Sequence, residues 1–256
     1  MRKKEKDGLV WYEFSLFDSC PELRYGFFTR HGGVSGPEGR DLHLAFNEYD
    51  APEKVRLNLR RAEKALGLPP AAFVRQSHSA NIAVLRPGDN YQPTGREDCL
   101  ENFDAMIAPE PGLSLLIKTA DCQGVLLYDP AAKMLGLVHS GWRGSVQNII
   151  GAAVARMAQL GAEPGRILAA VGPSLGPCCA EFKNFSQELP EDFWPFRNSE
   201  NHFDFWAISR RQLTGAGLRP ENVATADLCS RCETDFFSYR RGDKLARFGV
   251  LAGVKE

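Results

Sequence analysis

No stretch of this sequence approaches the roughly 18 consecutive apolar residues that a bilayer-spanning helix requires. Charge of one sign is missing too. The 31 Lys and Arg are interspersed with 32 Asp and Glu for a net charge of −1, which offers no general grip on nucleic acid or an anionic membrane. No Gly-x-Gly-x-x-Gly or Walker-type loop occurs, so no separate nucleotide cofactor is expected. Histidine is scarce, with five in all and no His-x-His pair. A multicopper oxidase needs many imidazoles, and this chain cannot build such a cluster alone. Cysteine numbers seven, an odd count without a disulfide-framework spacing; that pattern fits a reducing cytoplasm.

What remains is an ordinary globular composition, 43% hydrophobic and 25% charged over 256 residues, enough to bury a sizeable core. No repeat or linker divides it, so a single domain over 1–256 is expected. The loop-rich stretches 87–95 and 190–201 are too short to mark a boundary. The opening MRKKEKDG resembles a signal-peptide n-region. LVWYEFSLF after it carries Glu13 and lacks a cleavage site, so a frayed, charged N-terminus is expected.

Strand and helix signals alternate irregularly. LRYGFFT (23–29) reads as a strand and RHGGVSGPEGR as a Gly-rich loop. A helix is predicted over 52–67, with Val55, Leu59, Ala62 and Leu66 on one face and Gly67 at its stop. The short apolar runs NIAVLR, DAMIA, LSLLIKTA, GVLLYD, MLGLVH and RILAAVG read as strands. A long helix is predicted over 145–160, with Ser145 as N-cap and Gly161 after its end, and another over 205–217. The FFSYRR segment at 236–241 reads as a strand with a basic end. An α+β fold follows, with hairpins instead of strict βαβ alternation.

Within that scheme Cys122 precedes GVLLYD and His139 closes MLGLVH. Asp129-Pro130-Ala131-Ala132 suits a type I turn between them. With Pro130 and Ala131 at its centre, Cys122 faces His139 directly across an antiparallel pair, Cβ atoms about 5 Å apart. A thiolate and an imidazole that close can share a metal or a proton. His78, in RQSHS where a loop feeds a strand, is poorly suited to an apolar core. Two His and one Cys form a three-ligand set for Zn²⁺ with a position left open, as in catalytic sites.

The glycines of Gly141-Trp142-Arg143-Gly144 permit a sharp turn. The helix start at Gly144 and the Arg143 cation are expected to hold phosphate or another anion. Asp121, beside Cys122, could orient a ligand, act as a base, or bond local backbone. Cys178 and Cys179 are read as space-filling, and Cys229-x-x-Cys232 as structural because no second pair stands at zinc spacing.

YGFFTRHGGVSG, RQSHS, TADCQGVLLYDP followed by VHSGWRG, GPSLGPCC and FFSYRR together span nearly the whole chain. In them the sequence resembles the purine nucleoside phosphorylase family first described as polyphenol oxidases, or laccase-domain proteins. The resemblance implies a single-domain α+β fold, a layered CNF1/YfiH-like sandwich of mixed or antiparallel sheets flanked by helices. It implies a metal site at His78, Cys122 and His139, with zinc as first choice and copper second. It also implies a cytoplasmic enzyme, monomeric or weakly dimeric, that cleaves adenosine, inosine and related nucleosides with phosphate, and deaminates adenosine alongside. Arg143 sits in its HxGWRG signature, and Arg30 and Asn47 match further polar positions near the pocket. RQSHS, RHGG and DLHLAFN depart from the family's usual wording, and His31 and His43 leave open an altered pocket rim. Three other readings stay open: a metal-free cysteine hydrolase with Cys122 as nucleophile and His139 as base, a copper-loaded polyphenol oxidase, and a non-enzymatic partner-binding protein with a structural zinc.

Overall fold

A computed structural model describes all residues except Asn90, Gln92, Thr94, Arg96, Glu97 and Glu256. The loop expected at 87–95 therefore lies partly outside the described residues. The strands are β1 (Arg2–Lys6), β2 (Leu9–Glu13), β3 (Leu23–Phe28), β4 (His31–Ser35), β5 (Ala71–Phe73), β6 (Ile82–Val84) and β7 (Ala105–Ala108). They continue with β8 (Ser114–Thr119), β9 (Gln123–Asp129), β10 (Met134–Ser140), β11 (Leu168–Val171), β12 (Val223–Thr225) and β13 (Phe248–Val254). The α-helices are α1 (Pro52–Leu66), α2 (Trp142–Val146), α3 (Ile149–Gln159), α4 (Phe185–Glu188) and α5 (Phe205–Gly215).

Two six-stranded sheets form the frame, in the orders β1-β2-β3-β13-β8-β5 and β12-β11-β9-β10-β7-β6. Most neighbours run antiparallel; β5–β8, β6–β7 and β11–β12 are parallel, so both sheets are mixed. The sheets pack face to face. Phe27, Ile117 and Val250 of the first share one core with Leu126, Tyr128, Leu135 and Leu137 of the second. The outer face of the second sheet, with Val125, Leu127 and Val138, is covered by Ile150, Val154 and Met157 of α3. Val55, Leu59 and Leu66 of α1 cover the outer face of the first, beside Phe73, Leu116 and Leu251. Strands buried on both faces read as continuous apolar runs, as GVLLYD does. This is the α+β sandwich the sequence leads to, and no helix among the described residues is long and apolar enough to cross a membrane.

Several expectations are corrected. The N-terminus is not frayed: Arg2–Lys6 pairs in register with β2. Part of the Gly-rich loop is strand β4. The predicted 145–160 helix is two helices, broken where Asn148 takes a left-handed φ of 54° and its side chain accepts the Gly151 N–H. Asn tolerates that conformation and supplies a cap in one residue, so Ser145 lies inside α2 and does not cap. The 236–241 segment forms turns and no strand. The β9–β10 turn is longer than the type I turn expected. Asp129 Oδ1 accepts from the N–H groups of Ala131 and Ala132 and Lys133 is left-handed. His139 therefore pairs with Gly124, not with Cys122. The slip is two residues, and because the strand period is two, Cys122 keeps the same face.

Candidate functional site

His139 is the last residue but one of β10, Cys122 sits one residue before β9, and His78 comes from the turn that leads to β6. Their ligand atoms lie within 4.8 Å of one another. Cys122 Sγ stands 3.7 Å from His78 Nε2, and the two imidazole rings are 5.1 Å apart.

One carboxylate organises both histidines. Asp104, fully buried just before β7, accepts a 2.8 Å hydrogen bond from His139 Nδ1. Its oxygens also accept the N–H groups of Ser77, His78 and Ser79 at 3.1, 3.0 and 2.6 Å, and the Ser79 hydroxyl at 2.8 Å. Three successive amides can point at one group because His78 is left-handed, with φ 62°. With Nδ1 engaged, His139 is left with Nε2 to face the cluster, the arrangement by which a carboxylate fixes a ligating imidazole. Burial opposes charge on Cys122 and His139, but each supplies the other's counter-charge. Next to the two imidazoles the Cys122 thiol falls to about 6. His139, beside Cys122 and Asp104, rises to about 9. Asp104 is held well below the usual carboxylate range, its burial outweighed by His139 and Ser79.

The donor set suits a borderline-soft ion such as Zn²⁺, and its surroundings leave room. A Cβ on Gly141 would stand 2.8 Å from Cys122 Sγ and 2.9 Å from His78 Cδ2; only glycine lets the turn into α2 approach so closely.

The cluster opens into a cavity of about 770 Å³. Aromatic faces from Phe46, Trp142, Phe182, Phe205 and Tyr239 line it, together with the cations of Arg75, Lys118, Arg143, Arg240 and Arg247. The Arg143 guanidinium lies 4.2 Å over the Trp142 ring. Asn47 lines the cavity, its amide donating to Leu245 O at 2.7 Å. Asp121 lines it too, left-handed at φ 81°. Its carboxylate accepts the Ser230 hydroxyl and the Arg240 N–H, both at 2.7 Å, and its carbonyl accepts the Leu175 N–H at 2.8 Å. Arg30 and Gly144 are not among the lining residues. Arg30 makes a two-pronged pair with Asp41 at 3.0 and 2.9 Å and covers Phe237. Gly144 is buried inside α2, where a Cβ would stand 3.2 Å from Ile149 Cγ2 and 3.7 Å from the His139 carbonyl oxygen.

A model of the family described as multi-copper polyphenol oxidoreductase laccase matches residues 24–255. The chain belongs to this laccase-like family. A purine nucleoside phosphorylase of Streptomyces coelicolor is 34% identical over 92% of this chain and 96% of its own. An adenosine deaminase from an unknown prokaryote is 32% identical over 84% and 87%. Among solved structures, the hypothetical protein YfiH of Bacillus licheniformis superposes with a TM-score of 0.86 at 25% identity, covering 99% of both chains. YlmD of Geobacillus stearothermophilus gives 0.82 at 26% identity over 99% and 98%. The family's description speaks of several coppers, yet only His78 and His139 of the five histidines line this cavity. His31 meets Asp235, His43 is buried against the Arg247 N–H, and His202 lies beside Glu200.

Two residues of this candidate site escaped the sequence reading. Asp104 in ENFDAMIA carries no motif; the one hint is an acid placed directly before a wholly apolar run. Lys118 interrupts the apolar strand LSLLIKT. Its Nζ donates to Val74 O at 2.9 Å and lies 4.7 Å from the Phe73 ring centroid, and burial lowers its pKa to about 8.

Proposed function

We propose that this chain is a metal-dependent purine nucleoside phosphorylase. Its substrates are adenosine, inosine and methylthioadenosine, cleaved with phosphate to the base and the ribose 1-phosphate, and adenosine deamination is a side activity. The observation that carries the reading is the convergence of His78, Cys122 and His139 at a cavity lined by both aromatic faces and cations. The names of the relatives support the same chemistry. Zinc is the proposed ion, held by these three side chains. Bound there, it supplies Lewis-acid polarisation of the group that meets it.

The chain's own residues supply the rest. Asp104 holds His139 in one tautomer and fixes the turn bearing His78. A purine stacks on the aromatic lining near Trp142, Phe182 and Tyr239. Arg143 holds phosphate beneath the sugar while positive charge develops at its anomeric carbon, and Asn47 addresses the ribose. Gly144 lets α2, the helix that presents Arg143, pack closely against Ile149, and Arg30 braces Asp41 outside the pocket lining. Asp121 serves as a positioning residue, tying the Cys122 segment to the segments that carry Leu175 and Arg240.

The test is product chromatography after metal-quantified protein meets adenosine and phosphate, with Cys122→Ala beside it. Adenine and ribose 1-phosphate from the parent alone, at near one zinc at this site, are expected. Inosine without adenine would make deamination the main activity and overturn phosphorolysis. One observation favours a second reading: a thiol lowered to about 6 beside an imidazole raised to about 9 is also a nucleophile–base pair, as in cysteine hydrolases. That enzyme would be inactivated by iodoacetamide and indifferent to chelators, whereas the phosphorylase would lose activity to chelation and regain it with zinc.

A further inference from the structure

A second cluster stands behind the pocket. The turn after β11 carries Cys178 and Cys179, and the loop after β12 carries Cys229 and Cys232. The four sulfurs lie within 4.8 Å of one another. Cys232 Sγ is 3.6 Å from Cys178 Sγ and 3.5 Å from Cys179 Sγ. The partner that Cys229-x-x-Cys232 lacks in sequence is thus an adjacent pair some fifty residues earlier. Disulfide sulfurs would sit about 2.05 Å apart, and all four thiols are free. A tetrahedral zinc with Zn–S bonds of about 2.3 Å separates its sulfurs by about 3.8 Å, close to the spacing found.

We propose that Cys178, Cys179, Cys229 and Cys232 form a tetrathiolate site for one structural zinc ion, separate from the His78–Cys122–His139 cluster. Independent features of the two turns fit thiolate ligands. The Gly176 N–H donates to Cys229 Sγ at 3.3 Å, the kind of bond that stabilises sulfur-borne negative charge. Arg241 donates to the carbonyls of Ser230 and Arg231 inside the Cys-x-x-Cys turn at 3.0 and 3.1 Å, setting a cation against a centre that is net negative with zinc bound. Cys179 and Cys229 are buried while Cys178 and Cys232 are exposed, so the ion has a path from solvent and a closed far side. Four sulfur donors select a thiophilic, tetrahedral ion and leave no position for substrate.

The site's place gives it a purpose. The two turns are already bridged at Ser174 and Cys229. The second presents Ser230 and, further on, Arg240 to the Asp121 carboxylate, and the first carries Leu175, whose N–H meets the Asp121 carbonyl. A zinc here staples the wall of the pocket against which Asp121 and its neighbour Cys122 are set.

Zinc per chain, measured by mass spectrometry on protein purified under reductant from zinc-supplemented culture, tests this. The parent is expected to hold about two ions, Cys122→Ala and Cys232→Ser about one each, and the double variant none. Cys232→Ser should also melt about 10 °C below the parent. Zinc-edge X-ray absorption on the unaltered protein needs no variant to fold: two sites give a mostly sulfur shell, the first alone mostly nitrogen. Cys232→Ser with as much zinc as the parent would overturn the proposal, as would a nitrogen-dominated shell, iron in place of zinc, or disulfides among these cysteines in intact mass. Cys122→Ala separates the two sites: a parent metal content that falls to zero with Cys122→Ala alone leaves the first site standing and removes this one.

Discussion

Asp104 makes hydrogen bonds to both histidines' segments, so its replacement disturbs more than one contact. Asp104→Asn keeps the shape but loses the charge, and with it the force that fixes the His139 tautomer. Zinc affinity at the first site should fall about 10- to 100-fold, measured by competition with a chromophoric chelator. The carboxyl is held below its ordinary range in the folded protein, so the sign of the pH effect is fixed. Its stabilising contribution is complete above the unfolded-state value of about 3.9 and is lost as pH falls below it. Urea midpoints of the metal-free protein should therefore drop steeply below about pH 4 in the parent and less so in Asp104→Asn. Arg143→Ala should raise the phosphate KM about tenfold while leaving the nucleoside KM near its parent value; an unchanged phosphate KM would take Arg143 out of phosphate binding. At this scale the sequence speaks unevenly. His78, Cys122 and His139 stand out because a polar, metal-prone side chain at the end of a strand needs a reason. Asp104 and Lys118 do not, because what marks them is enclosure by segments distant in sequence, and neither spacing nor composition records enclosure.

Secondary structure was legible wherever one face had to be buried. The stripe Val55–Leu59–Ala62–Leu66 and the left-handed Gly67 bound α1 as expected, and the cores of β3 and of β6 to β11 follow their apolar runs. Two of the failures occur where one side chain overrides periodicity. Asn148 breaks a helix whose apolar stripe runs through it, and Asp129 opens a four-residue turn by accepting two amides. Asn148→Ala loses both the cap and a residue tolerant of positive φ. It should cost about 1–3 kcal/mol, seen as a fall of several degrees in Tm, whereas Asn148→Gly should cost less. Gly141→Ala tests the approach of α2 to the proposed metal ligands. Its Cβ has no room beside Cys122 and His78, so the variant should keep its circular dichroism and core stability yet lose metal at the first site. Unimpaired metal content would mean that the turn yields more readily than the distances imply.

For the molecule as a whole, the proposed zinc would tie stability to metal. Zinc bound by the native state alone raises stability by RT ln(1 + [Zn]/Kd). Tm should climb with free zinc and fall on chelation, and the increment should shrink in Cys122→Ala. A Tm indifferent to zinc would deny that the native state binds it. The four-layer arrangement itself was only partly readable. Strands and hairpins emerge from alternation and turn chemistry, whereas the assignment of strands to two sheets depends on long-range pairing. Nothing local announces that β5 lies beside β8 or β6 beside β7.

The position of β13 has a consequence for biosynthesis. This strand, which follows every other described strand in sequence, is inserted between β3 and β8, bonded to both along most of its length. Until residues 248–254 leave the ribosome, the first sheet exists as two unjoined halves with open edges, and the inner faces of both sheets lack part of their cover. The nascent chain must therefore keep its long apolar runs from pairing with other chains until those residues emerge, a period when unpaired strand edges invite aggregation. A stalled nascent chain lacking 248–254 should be digested rapidly by protease, and the same chain with those residues emerged should resist it; equal resistance would show that the sandwich closes without its central strand.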